Sequence, residues 1–319
     1  MLEFAVLGSG SSGNSALVRF GDTTLLIDAG LSARQLTTRL EKLGVDPDSL
    51  NAIVLTHEHG DHARGIDVFC RKRSIPIYAT THTAALVREG VTSPVTWRAF
   101  ESGSSFTVGK VRFESFSVPH DAVDPVGFVI DGGGSRLGFL SDTGHVTRLI
   151  LERLKGVDTL FTEANYDELL LQNDTKRPWA TKQRISNRHG HLSNEQAAEL
   201  VAAVVSERLQ RVVLGHLSSD CNTAEIATRI ISEKLVSQNR VDVPVECADR
   251  SEPLPFVPVN AAAPEPVVAM QDRDTPPPVS AQNRVAEPES PRWKRSQAPQ
   301  PRRAPIIPDE PLTQTEWAF

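Results

Sequence analysis

The stretch Asn51-Ala-Ile-Val-Leu-Thr-His57-Glu58-His59-Gly60-Asp61-His62 runs an apolar segment directly into a loop dense in metal-ligating side chains. Asn51–Leu55 reads as a short buried strand, and Ala63–Arg73 beyond the loop reads as a helix. In an extended segment His57 and His59 project to the same side, two positions apart. Asp61 and His62 then turn at the helix entrance and can face a different centre. One loop can therefore serve two cations. A plain solvated loop gives no reason for imidazoles at this density.

Two cations need more ligands than one loop holds, and three further candidates stand at the ends of apolar runs. His120 follows Phe116-Ser-Val-Pro, Asp142 follows Leu137-Gly-Phe-Leu-Ser, and His216 follows Val212-Val-Leu-Gly. Loops at strand ends are where sites are usually built. Taken singly, each also reads as a core histidine or a turn aspartate. Together they complete a dinuclear set.

Outward from the loop, Leu2–Leu7, Ala16–Phe20 and Thr24–Ile27 read as strands, and Leu31–Leu43 as a helix capped by Ser32 and stopped by Gly44. Ile75–Ala79 and Thr81–Glu89 repeat the strand-then-helix order. β signals return near Thr107–Val118, Val126–Ile130 and Arg136–Leu140, with Asp131-Gly-Gly-Gly as a hairpin turn. Later come a helix at Thr147–Leu154, a strand at Asp158–Thr162 and a polar excursion over Asp167–Gly190. A helix at Asn194–Arg208, strand Arg211–Leu214, helix Thr223–Leu235 and strand Asp242–Glu246 complete the pattern. Two such halves predict an α+β fold of two mixed sheets facing each other, helices outside.

Of 22 prolines, 15 fall between Ser251 and Phe319, in a segment without apolar periodicity. The reading is one folded domain over residues 1–250, large enough for a core with a buried site, and a disordered Pro-rich tail over 251–319. Within the tail, Pro291-Arg-Trp-Lys-Arg295 and Glu316-Trp-Ala-Phe319 read either as spacer or as motifs docking an unknown protein partner. A net charge of −6 argues against attachment to nucleic acid by bulk charge alone, but not against a nuclease whose bound cations reverse the local field. Cys70, Cys221 and Cys247 are too far apart in sequence for a disulfide framework or a CxxC clip. No apolar run approaches a membrane span, and Met1-Leu-Glu-Phe leads into a strand pattern. The expectation is a cytoplasmic protein with no membrane partner; its oligomeric state stays open.

With these residues in view, the sequence resembles the metallo-β-lactamase-fold hydrolases, through the HxHxDH motif at His57–His62, His120, Asp142 and His216. The resemblance covers residues 1–250 and implies a four-layer αββα sandwich with metals in the cleft between the sheets. It implies one metal on His57, His59 and His120, a second on Asp61, His62 and His216, and Asp142 bridging both. Asp28 resembles the aspartate that steadies the histidine loop, though a plain turn former before Ala29-Gly30 reads nearly as well. Zinc is the default for imidazole-rich ligands, and the mixed His/Asp set also admits manganese. Two such cations would hold a hydroxide poised for in-line attack on phosphorus.

Gly8-Ser-Gly-Ser-Ser-Gly-Asn14, Gly190-His-Leu-Ser-Asn194 and His216-Leu-Ser-Ser-Asp-Cys-Asn222 are similar to the YycJ (WalJ)-type, exonuclease-like branch. That branch implies a phosphodiesterase acting on DNA or RNA. Asp61, Asp142 and His191 are then the catalytic candidates. Ser9, Ser11, Asn14, His191, Ser193, Asn194 and Asn222 are the candidate substrate contacts. Residues 8–14 offer backbone N–H groups and hydroxyls to phosphate oxygens, or form an ordinary turn. His191 can protonate a leaving alkoxide, or can be a helix-entrance histidine beside the Ser193 cap. Lys176, Arg177, Lys182, Arg184 and Arg188 read equally as a backbone-tracking cluster and as a solvated face. His82 reads as a surface or cap residue and His145 as a cleft neighbour at most. Cys221 reads as a buried thiol or a redox-sensitive one. Two other functions stay open: a hydrolase of the same fold for a thioester, lactone or cyclic phosphodiester, and a metal-stabilised interaction module.

Overall fold

The computed structural model describes residues 1–261. From the N-terminus, β1 (Leu2–Gly8), β2 (Ser15–Phe20), β3 (Thr23–Ile27), β4 (Ala52–Val54), β5 (Ile77–Thr80) and β6 (Trp97–Phe100) form most of one sheet. A second sheet follows from β7 (Ser105–Val108), β8 (Val111–Ser117), β9 (Val126–Gly132), β10 (Ser135–Leu140), β11 (Thr159–Glu163), β12 (Arg211–Gly215) and β13 (Val245–Cys247). The chain then returns to the first sheet with β14 (Leu254–Pro258), paired antiparallel to β1. The two sheets run in the orders β14-β1-β2-β3-β4-β5-β6 and β13-β12-β11-β10-β9-β8-β7.

The layering follows from strands buried on both faces. Leu2, Phe4 and Val6 enter the core between the sheets, where Phe4 meets Phe161 at 5.7 Å between ring centres. Ala5 and Leu7, on the opposite face of the same strand, pack beneath α1 (Ala33–Lys42), α2 (Gly60–Ala63), α3 (Ile66–Cys70) and α4 (Thr81–Glu89). The outer face of the second sheet lies under α5 (Arg148–Leu154), α8 (Asn194–Val204) and α9 (Ala224–Ser237). Between them in sequence come α6 (Glu168–Asn173) and α7 (Trp179–Ser186). This is the αββα sandwich of the expectation, and α1 starts with Ser32 in a capping box, as the sequence predicts.

Parallel pairing decides where the site lies. β3 to β6 run parallel, as do β10 to β13. The carboxyl ends of β3, β4, β10, β11 and β12 release Asp28, the His57–His62 loop, Asp142, Glu163 and His216. Ligand sites of α/β sheets form outside such ends.

Three readings need correction. The domain does not stop at residue 250, because β14 follows and Val259 beyond it is buried. Pro253, Pro255 and Pro258 are compatible with this strand because it lies at the sheet edge, where missing N–H donors need no partner. The polar excursion 167–190 contains α6 and α7; α7 has no buried residue, so it leaves no apolar periodicity to read. The helix expected over Ala63–Arg73 is two short pieces, α2 and α3. The tail motifs beyond residue 261 lie outside the described residues.

Candidate metal centre

Backbone contacts draw the N-terminal loops together. Ala29 N donates to the His62 carbonyl at 2.7 Å, Asn14 N to the Asp61 carbonyl at 2.8 Å, and Gly30 N to the Asn14 carbonyl at 2.9 Å. Asp28, Asp142 and His216 all adopt left-handed backbone angles, with φ of 58°, 52° and 52°. For residues other than glycine that conformation costs about 1–2 kcal/mol each, and it clusters where function demands a particular side-chain aim.

The aim is convergent. His57, His59 and His120 form one group of ligand atoms within 4.8 Å of one another; Asp61, His62 and His216 form a second. Asp142 stands between them, with one carboxylate oxygen 3.0 Å from His62 Nε2 and the other 2.7 Å from His216 Nδ1. It also lies within the same reach of His57. All seven side chains that the resemblance singled out for metal thus meet at one place.

Hydrogen bonds fix which nitrogens face inward. Asp28 accepts Thr56 N at 2.8 Å, Thr56 Oγ1 at 2.9 Å and His62 Nδ1 at 2.8 Å. Thr56 Oγ1 has then given its only proton away, so it accepts one from His57 Nδ1 at 3.0 Å. His120 Nδ1 donates to the Gly190 carbonyl at 3.1 Å. In these three imidazoles the outer nitrogen is anchored and Nε2 is left for the centre, whereas His216 turns Nδ1 toward Asp142.

The donor set fits divalent cations. His57 Nε2 is buried without a hydrogen-bond partner, a state that a lone pair on a metal would relieve. Burial pulls His57 well below the ordinary histidine range and lowers His120. Burial also disfavours the charged form at His62, but Asp142 and Asp28 outweigh it and raise the group well above that range. At His216, burial is outweighed by Asp142 and Asp61, and the group is pushed up to about 10. The buried carboxylates are thus balanced by imidazolium protons, which a cation can replace.

A cleft of about 280 Å³ opens over this centre, lined among others by Ser11, Asp121, Thr181, Arg184 and His191. Of the expected substrate contacts, Ser11 and His191 reach it. Ser9 and Asn14 are buried outside the cleft lining, and their side chains are already engaged by the candidate ligands and their loops. Ser9 Oγ donates to Asn14 Oδ1 at 3.0 Å and accepts from His216 N at 2.7 Å. Asn14 Nδ2 lies 3.3 Å from Asp61 Oδ2 and 3.1 Å from His62 Nε2. Ser193 caps α8 and is fully buried, while Asn194 and Asn222 exchange amide hydrogen bonds at 3.0 and 2.8 Å. These three lock loops behind the cleft wall.

Sequence reasoning missed Glu163. Fully buried at the end of β11, it accepts Thr143 N at 2.7 Å and His191 Nδ1 at 2.9 Å. An acidic residue closing the apolar run Thr159-Leu-Phe-Thr repeats the pattern at Asp28 and Asp142, and that was the available signal. The basic cluster divides. Lys176 and Arg177 pair with Asp220 at 2.7 and 2.9 Å, and Arg184 pairs with Asp121 at 2.7 Å. Arg188 contacts His145 Nε2 at 3.1 Å instead of a carboxylate. Cys221 is buried, and burial raises its thiol, as it raises Cys70 to about 11 and Cys247 to about 12.

Two facing mixed sheets whose shared rim gathers five histidines and two aspartates define a metal-dependent hydrolase of the metallo-β-lactamase fold. The chain belongs to the beta-lactamase superfamily, whose domain matches residues 23–217. It is 36% identical over 229 residues to the exodeoxyribonuclease WalJ of Streptococcus pneumoniae serotype 2, covering 70% of this chain and 85% of that one. It is 34% identical over 236 residues to the exodeoxyribonuclease YycJ of Bacillus anthracis, covering 73% and 89%. Among solved structures, the metallo-β-lactamase fold protein YhfI of Bacillus subtilis superposes with a TM-score of 0.61 at 17% identity, over 79% of this chain and 98% of that one. No helix among the described residues is long and apolar enough to cross a membrane.

Proposed function

We propose that this protein is a dinuclear, metal-dependent exonuclease that hydrolyses phosphodiester bonds in DNA. The observation that carries the reading is the 36% identity to an exodeoxyribonuclease across 85% of that relative's length. His57, His59 and His120 would hold one cation, Asp61, His62 and His216 the other, with Asp142 shared. Zinc suits this imidazole-rich set. Bound there, the cations supply Lewis acidity and an activated water. A cytoplasmic location belongs to the same reading.

The chain's own residues supply alignment and a proton. Glu163 holds the Nδ1 proton of His191, which turns Nε2 toward the cleft. A protonated His191 there can give its Nε2 proton to the departing sugar oxygen. Ser11 and the backbone around it can meet a phosphate oxygen. Burial of the ligand set, with His62 wholly enclosed, excludes bulk water from all sides but the cleft.

End-labelled DNA incubated with metal-loaded protein tests the reading: stepwise shortening is expected, and equal rates for wild type and His59→Ala would overturn it. His191→Ala should slow DNA cleavage by about 10²–10⁴-fold. It should barely affect a nitrophenyl phosphodiester, whose leaving group departs without a proton. Equal losses on both substrates would remove His191 as the acid.

A further inference from the structure

Helix α7 divides two hollows. Thr181, Arg184 and Ile185 line the metal cleft, whereas Trp179, Lys182, Gln183 and Ser186 line a second hollow of about 320 Å³. The spacing 179, 182, 183, 186 is that of one helical face. Trp179 is 69% exposed and packs into no core, although exposing so large an apolar ring is unfavourable. Tyr166 and Leu171 add aromatic and apolar wall.

The wall carries charge of both signs. Lys182 Nζ donates to the Gln172 carbonyl at 2.8 Å and feels Asp174 electrostatically, but no carboxylate among the described residues forms an ion pair with it. Glu168, also on the wall, accepts from Ser193 Oγ at 3.3 Å, on the side of the α8 cap. An exposed indole beside an ammonium suits a nucleotide, whose base stacks while its phosphate is neutralised. The two hollows lie a helix diameter apart, about 10 Å, which matches about three nucleotides at B-form rise.

We infer that this second hollow holds a nucleotide of the DNA strand whose end lies in the metal cleft, its base on Trp179 and its phosphate at Lys182. The inference rests on the exonuclease reading, from which it takes the polymer, and it adds a strand-holding site that spaces the substrate across α7. Such a site favours substrates longer than about three nucleotides and makes each cut less prone to release of the strand.

Two measurements on the full chain test it. In kinetics, Trp179→Ala should raise the ratio of oligonucleotide KM to nitrophenyl-diester KM about 5-fold or more, with Trp179→Phe recovering most of the loss. Lys182→Gln should flatten the salt dependence of oligonucleotide binding by about one unit of log–log slope. In binding, metal-free protein titrated with a single-stranded oligodeoxynucleotide should show fluorescence quenching in wild type that Trp179→Phe lacks. Quenching at Trp179 without any DNA cleavage would keep the strand site and sink the exonuclease reading. Cleavage with unchanged KM ratios and no Trp179 quenching would overturn the strand site alone. A dimer in sedimentation that Trp179→Ala makes monomeric would assign the face to a second copy and also overturn it.

Discussion

Asp28 shows how much one buried side chain can fix. Its two oxygens take the protons of Thr56 N, Thr56 Oγ1 and His62 Nδ1, and through Thr56 it also sets the tautomer of His57. Asn in its place keeps an oxygen for Thr56 N but presents N–H to a nitrogen that also carries a proton. Asp28→Asn should therefore weaken metal affinity about 10–100-fold, read by competition with a chromogenic chelator. Full affinity in that variant would assign Asp28 to the turn alone. The convergence of the seven candidate ligands was legible because imidazoles and carboxylates at apolar strand ends have few other uses. Glu163 escaped because its partner His191 is distant in sequence, so that no local spacing announced the pair. Ser9 and Asn14 read as cleft residues because a Gly/Ser loop looks the same whether its hydroxyls meet a phosphate or support a ligand. Only the position of His216 N against Ser9 Oγ decides that question.

At the scale of elements, the histidine loop is placed by another loop rather than by its own helix. A Cβ built on Gly30 would lie 1.5 Å from the Asp61 carbonyl oxygen and 2.7 Å from His62 N. Neither atom is a flexible side-chain end, so the loop has to move as a whole. Gly30→Ala should displace Asp61 and His62 while the sheets, built elsewhere, stay folded. The expected outcome is metal analysis falling short of the wild-type content and loss of activity, with far-UV circular dichroism unchanged. Wild-type metal content would show that the two turns are free to separate. The elements that sequence reading placed well are those with a buried face: Thr81–Glu89 starts and ends as expected, and most strands shift by only a residue or two, although Thr107–Val118 splits between β7 and β8 and Asp242–Glu246 shortens to Val245–Cys247. α7 was hidden because it buries no residue fully and only Ile185 packs against an apolar cluster, and β6, with Arg98 and Ala99 exposed, shows only part of an apolar face. Elements that face solvent carry little pattern, and here one of them forms the rim of the cleft.

At the scale of the molecule, the last described segment closes the sandwich at its N-terminal edge. β14 covers β1, Val259 N donates to the Leu2 carbonyl at 2.9 Å, and Thr159 Oγ1 donates to the Val259 carbonyl at 2.7 Å across the other sheet. Phe256 carries the Arg19 guanidinium 3.9 Å above its ring, and Val259 is 1% exposed. This edge ties the two sheets together at the end remote from the β3 and β4 loops. Composition alone put a boundary at residue 250, since prolines mark both disordered tails and edge strands. Burying Val259 contributes about 1.5–3 kcal/mol, before the lost pairing of β1 is counted. Ending the chain at residue 250 should therefore lower Tm by about 5 °C or more relative to an end at residue 261. Differential scanning calorimetry of the two truncations, both loaded with metal, gives the comparison. Equal melting would return residues 251–261 to the tail; the expected drop makes them part of the fold that holds the metal centre.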